Sequence, residues 1–179
     1  MNSALKIWTE EIRRFNRSLH LIGPQVLKNL EMEIGSSLKL IEPINEVILA
    51  DLGSGSGIPG IPFAVMHPGS KVTLIERSEK KCTFLRHSIS LMGLKNVEIV
   101  EADPLVNHIG KFPAVISRAF SPKDSLLKAV TEILDNNGKF YYMSSEEPLL
   151  DIRFLPGKCI DPGTSDGIRI YTYSFNPWK

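Results

Sequence analysis

The run Val47-Ile48-Leu49-Ala50-Asp51-Leu52 passes directly into Gly53-Ser54-Gly55-Ser56-Gly57-Ile58-Pro59-Gly60, and this junction constrains the fold more than any other feature of the chain. A short apolar run without polar alternation suits a strand buried on both faces, as in a parallel sheet. The glycines that follow accept positive φ and let backbone approach a ligand closely. They stand at the carboxyl end of a strand, where open α/β sheets bind ligands. The competing reading is a glycine-rich turn that holds nothing. Three alternating glycines immediately after a buried strand weigh against it.

The rest of the chain repeats the alternation. Residues 61–66 continue as a short helix, with Pro59 and Pro62 suited to a first helical turn. Residues 71–76 (KVTLIE) form a second strand. Ser78 caps a helix whose apolar face is Cys82, Leu85, Ile89 and Met92, ending near Gly93. Third, fourth and fifth strands fall at 97–100, 114–117 and 139–143. A helix over 122–134 separates the last two, closed by Asn136-Asn137-Gly138. A final strand is expected over 166–175, at an edge or antiparallel, after a Pro/Gly-rich loop over 148–167. Ahead of the first strand, Leu5, Trp8, Ile12, Phe15 and Leu19 share one face of an amphipathic helix that Gly23-Pro24 ends. A second helical stretch is expected over 25–40. The pattern predicts an α/β fold: a mostly parallel sheet with helices on both faces. One domain is expected over 1–179, a helical N-terminal extension (1–45) leading into the core (46–179).

Composition removes several classes. The 179 residues carry 42% apolar and 23% charged side chains, ordinary globular usage, and a formal charge of +1 excludes a strongly basic, tail-driven nucleic-acid binder. Two cysteines, Cys82 and Cys159, make neither a disulfide framework nor a four-cysteine zinc site. No metal-ligand spacing occurs, and no apolar run approaches the ~20 residues that span a bilayer. Glu10, Glu11, Arg13 and Arg14 interrupt the N-terminus where a signal peptide needs an apolar core. A cytoplasmic monomer is expected.

Two ligand classes compete for the glycine loop. Gly55, Gly57 and Gly60 match the dinucleotide spacing G-x-G-x-x-G, and Glu76 lies 25 residues beyond Asp51, near where a ribose-binding acid belongs. Alone, that spacing points to NAD. Three features point elsewhere. A carboxylate at Asp51, at the mouth of the loop, repels a pyrophosphate but suits a ligand bearing an ammonium and a sulfonium. The run begins at Gly53, so it reads D-x-G-x-G-x-G, a methyltransferase pattern. A dehydrogenase needs a further domain to present its substrate, for which 179 residues leave no room. With Asp51, Glu76 and a third strand-end acid at Asp103, the pattern favours S-adenosylmethionine. Glu76 can accept hydrogen bonds from both ribose hydroxyls, and Asp103-Pro104-Leu105 stand where an adenine edge would lie.

Residues 51–62, DLGSGSGIPGIP, resemble the D-x-G-[ST]-G-x-G-[LIF]-P-G-[IL]-P signature of the bacterial 16S rRNA (guanine-N7) methyltransferase G family, also called glucose-inhibited division protein B. Lys80-Lys81-Cys82-Thr83-Phe84-Leu85 resembles its K-[RK]-x-x-F-L helix, and Val115-Ile116-Ser117-Arg118-Ala119 its V-x-[ST]-R-A motif. The resemblance is clear over residues 47–143. It implies a Rossmann-like class I methyltransferase fold, S-adenosylmethionine as cofactor, and methylation of N7 of one guanine in 16S ribosomal RNA, on free RNA or in the 30S subunit. It also implies that Gly53 and Ile58 contact the cofactor, Glu76 its ribose and Pro104-Leu105 its adenine end, with Arg118 lining the same pocket. The chain departs from the family where Met32-Glu33-Ile34-Gly35-Ser36-Ser37 replaces an Arg-His pair followed by Asp-Ser, and where Ser144 replaces a lysine. These departures keep two alternatives open: a methyltransferase on another substrate, and a non-catalytic cofactor- or RNA-binding module.

Guanine N7 carries a lone pair and no proton, so transfer to it needs alignment rather than a general base. No catalytic residue is therefore expected, and His20, His67, His87 and His108 are scattered. RNA capture is expected to be electrostatic, through Arg13, Arg14 and Arg17 on the first helix and Lys80 and Lys81 on the helix after the second strand.

Overall fold

A computed structural model describes residues 2–118, 122–145, 151, 153–160 and 167–176. Helix α1 (Ser3–Leu19) is capped by the Asn2 side chain and ends at His20 in the left-handed conformation. The stretch expected as one helix over 25–40 is two, α2 (Pro24–Lys28) and α3 (Leu30–Ile41). Asn29 breaks them with ψ of 26°, its N–H turned back to the carbonyls of Gln25 and Val26.

The alternating part follows as β1 (Ile48–Leu52), α4 (Gly60–Met66), β2 (Lys71–Glu76), α5 (Glu79–Met92), β3 (Val97–Glu101), β4 (Phe112–Arg118), α6 (Lys123–Ile133) and β5 (Leu134–Ser144). Two more strands, β6 (Phe154–Ile160) and β7 (Arg169–Phe175), complete a seven-stranded sheet in the order β3-β2-β1-β4-β5-β7-β6. The first five strands pair in parallel, and β7 runs antiparallel between β5 and β6. Two expectations change, and one is met. Part of the 148–167 stretch is strand β6, not loop. The final strand β7 is antiparallel as expected, with β6 at the edge beyond it; Asp166 lies outside the described residues. Asn136-Asn137-Gly138 does not close α6, which passes straight into β5 at Leu134. The three residues form a bulge between the Phe112↔Leu134 and Ala114↔Lys139 pairings, with Asn137 at φ 62°.

The strands bury alternate residues on opposite faces. Leu49, Leu74, Ile116 and Tyr141 pack with Leu5, Trp8 and Ile12 of α1, Ile34 and Leu40 of α3, Phe63 of α4 and Leu85 of α5. Ala50, Ile75, Val115 and Phe140 pack against Leu126, Val130 and Ile133 of α6 and against Phe154 and Tyr173. Period-two strands buried on both faces explain the near-continuous apolar runs in the sequence. Strand order reverses between β1, whose other neighbour is β2, and β4, which places a topological switch point at the carboxyl end of β1.

Candidate functional site

At that switch point lies a cavity of about 310 Å³. Leu52 and Gly53 after β1, Glu76 and Arg77 at the end of β2, and Ala102 to Leu105 after β3 form three sides. Lys81 of α5 and Pro122 and Ser125 at the start of α6 close the rest.

The glycine loop is held by directed hydrogen bonds. Gly53, Gly55 and Gly57 take positive φ (76°, 55° and 97°), which suits residues without Cβ. The N–H groups of Gly53 and Ser54 donate to the Ile75 carbonyl at 2.9 and 3.1 Å, which ties the loop to β2. Ser54 Oγ donates to the Asp51 carbonyl at 2.9 Å, and the indole of Trp8 to the Ser56 carbonyl at 3.0 Å. Gly60 begins α4, and a Cβ there would meet Asp51 Oδ2 at 2.6 Å. That close approach of helix to strand is what the residue type permits.

Glu76 is buried at the tip of β2. One carboxylate oxygen accepts from Gly55 N and the other from Ser78 N, both at 2.9 Å. Each oxygen keeps a further lone pair, and the side chain lines the cavity. Ser78 precedes α5 as expected, yet its side chain makes no cap hydrogen bond; Glu76 takes its N–H instead. Asp103 Oδ1 accepts from Leu105 N at 3.0 Å, its Oδ2 lies 3.6 Å from Arg77, and the turn over 103–107 brings Pro104 and Leu105 to the rim.

Asp51 is fully buried. Its Oδ2 accepts from Gly60 N at 3.0 Å, while Oδ1 has no partner among the described residues. Burial pushes its carboxyl up to about 7, against the opposing pull of the hydrogen bond from Gly60. Asp51, Gly55, Gly57 and Ile58 do not line the cavity. Arg118, at the end of β4, also stands outside the lining. Its guanidinium is held by Glu33 Oε2 at 2.5 Å and Ser37 Oγ at 3.2 Å, both on α3. Ala119, the last residue of that motif, lies outside the described residues.

The structure thus brings Gly53, Glu76, Pro104 and Leu105 together around one hollow. It adds Lys81, expected at the RNA surface. Arg77, Ala102, Pro122 and Ser125 had no sequence signal of their own beyond lying just past strand ends or at the start of a helix. Among the other basic candidates, Arg13 is chelated by both oxygens of Glu31 at 2.6 and 2.7 Å, and Arg14 lies 3.6 Å from Glu11 and over the Phe15 ring. Arg17 and Lys80 are exposed and have no ion-pair partner among the described residues. No histidine lines the cavity: His67 stacks on Phe63, and His87 bonds Glu11 at 2.8 Å. Cys82 is buried, donates to the Glu76 carbonyl, and has its thiol pushed up to about 11 chiefly by desolvation, so it is no nucleophile at neutral pH. Among the described residues no three His, Cys, Asp or Glu side chains are grouped to hold a metal, and no helix is long and apolar enough to cross a membrane.

The cavity fits S-adenosylmethionine on the chemistry of its donors. It offers a fixed carboxylate suited to vicinal hydroxyls, a rim of Pro104 and Leu105 suited to a base, and Gly53, without a side chain, between them. Comparison with known proteins agrees. Residues 1–165 match the family described as rRNA small subunit methyltransferase G. The chain is 32% identical over 144 residues to the ribosomal RNA small subunit methyltransferase G of Ruthia magnifica, covering 79% of this chain and 70% of that protein. It is 30% identical over 162 residues to the protein of the same name from Helicobacter acinonychis, covering 89% and 90%. Among solved structures, a mutant of MtNAS in complex with S-adenosylmethionine superposes with a TM-score of 0.66 at 16% identity, over 97% of this chain and 72% of that one. The methyltransferase yhhF of Escherichia coli gives 0.61 at 14%, over 80% and 85%. These structural likenesses show a Rossmann-like fold, and with the family match it is that of a class I methyltransferase.

Proposed function

This chain belongs to the rRNA small subunit methyltransferase G family, and from that membership we propose that it methylates N7 of a guanine in 16S ribosomal RNA by direct transfer from S-adenosylmethionine. It is an S-adenosylmethionine-dependent ribosomal RNA methyltransferase. The observation that carries the site assignment is Glu76, its carboxylate held by Gly55 and Ser78 and the residue lining the cavity at the sheet's switch point.

Bound there, S-adenosylmethionine supplies an electrophilic methyl group on a sulfonium. The chain's own residues bind and orient. Glu76 would accept hydrogen bonds from the ribose hydroxyls, Pro104 and Leu105 would hold the base, and Gly53 would leave space beside the ribose. Asp51, Gly55, Gly57 and Ile58 act on the cofactor through the shape of the loop. Arg118, anchored to α3, sets the wall between the sheet and the N-terminal helices. The lone pair of guanine N7 would take the methyl group as its bond to sulfur breaks and the neutral thioether leaves, so no side chain removes a proton, and the rate gain would come from alignment. Of the arginines and lysines expected at the RNA surface, Arg17 and Lys80 have no ion-pair partner among the described residues and can meet RNA phosphates, and Arg14 contributes once released from Glu11.

The test is transfer of labelled methyl groups to 30S subunits lacking this modification, followed by mass mapping of the RNA. Label on N7 of a single guanine is expected. Label elsewhere would move the substrate assignment. No label despite cofactor binding would leave a non-catalytic module.

A further inference from the structure

Trp8 lies on the buried face of α1, fully enclosed, and its indole N–H donates to the Ser56 carbonyl at 3.0 Å. Ser56 sits between Gly55 and Gly57, both at positive φ. An indole N–H only donates, and in one direction, so the bond orients the peptide plane between Ser56 and Gly57. The remaining anchors come from elsewhere: Ile75 and Glu76 hold Gly53, Ser54 and Gly55 from the β2 side. A loop with three alternating glycines has little stiffness of its own. Its conformation is therefore set by its partners, one of which is an N-terminal helix 48 residues distant in sequence. Trp8 itself does not line the cavity. A leucine or phenylalanine would keep this face apolar but leave part of the indole's volume empty, and neither presents a donor to the loop carbonyl.

We propose that Trp8 is a positioning residue for the cofactor loop: its bond to Ser56 holds residues 53–57 in the shape that presents Gly53 and Glu76 to S-adenosylmethionine. The inference rests on the cofactor reading above. It makes α1 two-sided. One face braces the loop, and the other carries Arg14 and Arg17, so a shift of α1 on meeting RNA reaches the loop through this bond. Thermodynamic linkage then requires the cofactor to bias α1 in return.

Trp8→Phe keeps an aromatic ring in the core, removes the donor and empties part of the indole's volume, so the split between binding and melting is what is read. Leaving a buried carbonyl unsatisfied is expected to raise the dissociation constant for S-adenosylmethionine about tenfold by calorimetry. In methyl transfer, the loss falls on KM for the cofactor rather than on kcat. A purely structural role would lower the melting temperature without that split. A folded Trp8→Phe protein binding the cofactor within twofold of the wild type would overturn the inference. A second measurement does not depend on that variant folding. Trp178→Phe leaves Trp8 as the sole tryptophan, and its emission is expected to shift as S-adenosylmethionine saturates the site. An unchanged spectrum at saturation would equally overturn the inference. A wild-type chain that bound no S-adenosylmethionine would instead remove the cofactor reading, and this inference with it.

Discussion

Two glycines of one motif should respond to alanine in opposite order to what their backbone angles suggest. Gly55 has φ of 55°, where an added Cβ meets only the Gly53 carbonyl oxygen at 3.8 Å, an ordinary contact. Its penalty is conformational, about 1 kcal/mol. Gly60 has helical backbone and no such penalty. Its added Cβ would meet Asp51 Oδ2 at 2.6 Å and Asp51 Cβ at 2.9 Å, and would collide with Leu74 Cδ2. Both neighbours are fully buried and pinned between β1, β2 and α4. Overpacking of this kind costs up to about 3 kcal/mol, offset by roughly 1 kcal/mol of helix preference for alanine. The net is about 2 kcal/mol. For a chain of this size that is about 4–8 °C in melting temperature, against about 2–4 °C for Gly55→Ala. Calorimetric or circular-dichroism melts of both variants, with reversibility checked, measure the order. Gly60→Ala melting at or above Gly55→Ala would refute the packing argument.

The buried acid, the strand-end arginine and the free cations each yield a further expectation. Asp51 has a folded-state value near 7 against 3.8 for the free group. The folded chain therefore holds its proton where the unfolded chain has lost it, and stability falls as pH rises from about 4 to 7 and then levels. Asp51→Asn should flatten that slope in urea titrations run across the window; an unaltered slope would count against the assignment. Glu33→Gln removes the charge paired with Arg118, two side chains each 12% exposed. A cost of about 1–2 kcal/mol in urea unfolding is expected, between the values for exposed and buried pairs, together with lower methyl transfer because Arg118 loses its anchor; a variant unchanged in both would remove any role for the pair. Arg17→Ala and Lys80→Ala should each lower the salt slope of RNA binding by about 0.7–0.9, whereas Arg13→Ala, already neutralised by Glu31, should leave it nearly unchanged in filter-binding titrations.

The alternating part of the fold was legible because each parallel strand is buried on both faces and so reads as an uninterrupted apolar run. Strand β6 was not. Its residues 155–159 are exposed at the sheet edge and include Pro156 and Gly157, so it carries turn chemistry and no burial signal. Asn136-Asn137-Gly138 misled for a related reason: a residue set suited to positive φ serves a helix stop and a bulge equally well. In the site, Glu76 and Gly53 could be placed because strand ends locate them. Nothing local marks Ser125 or Arg77 as cavity residues. The Arg118–Glu33 bond spans 85 residues and the Trp8–Ser56 bond 48, and pairings over such distances exist only once the chain has folded. The same holds for Lys81, whose place on α5 turns it to the cavity while its neighbour Lys80 faces solvent.

Recognition of the cofactor by the Glu76 carboxylate at the tip of β2 is the proposal on which the site stands. Calorimetric titration of the wild type and Glu76→Ala with S-adenosylmethionine, and of the wild type with NAD, decides it. A single S-adenosylmethionine site in the wild type, weakened at least tenfold in Glu76→Ala, and no heat with NAD are predicted. Equal affinity in the two proteins, or heat with NAD alone, would contradict it.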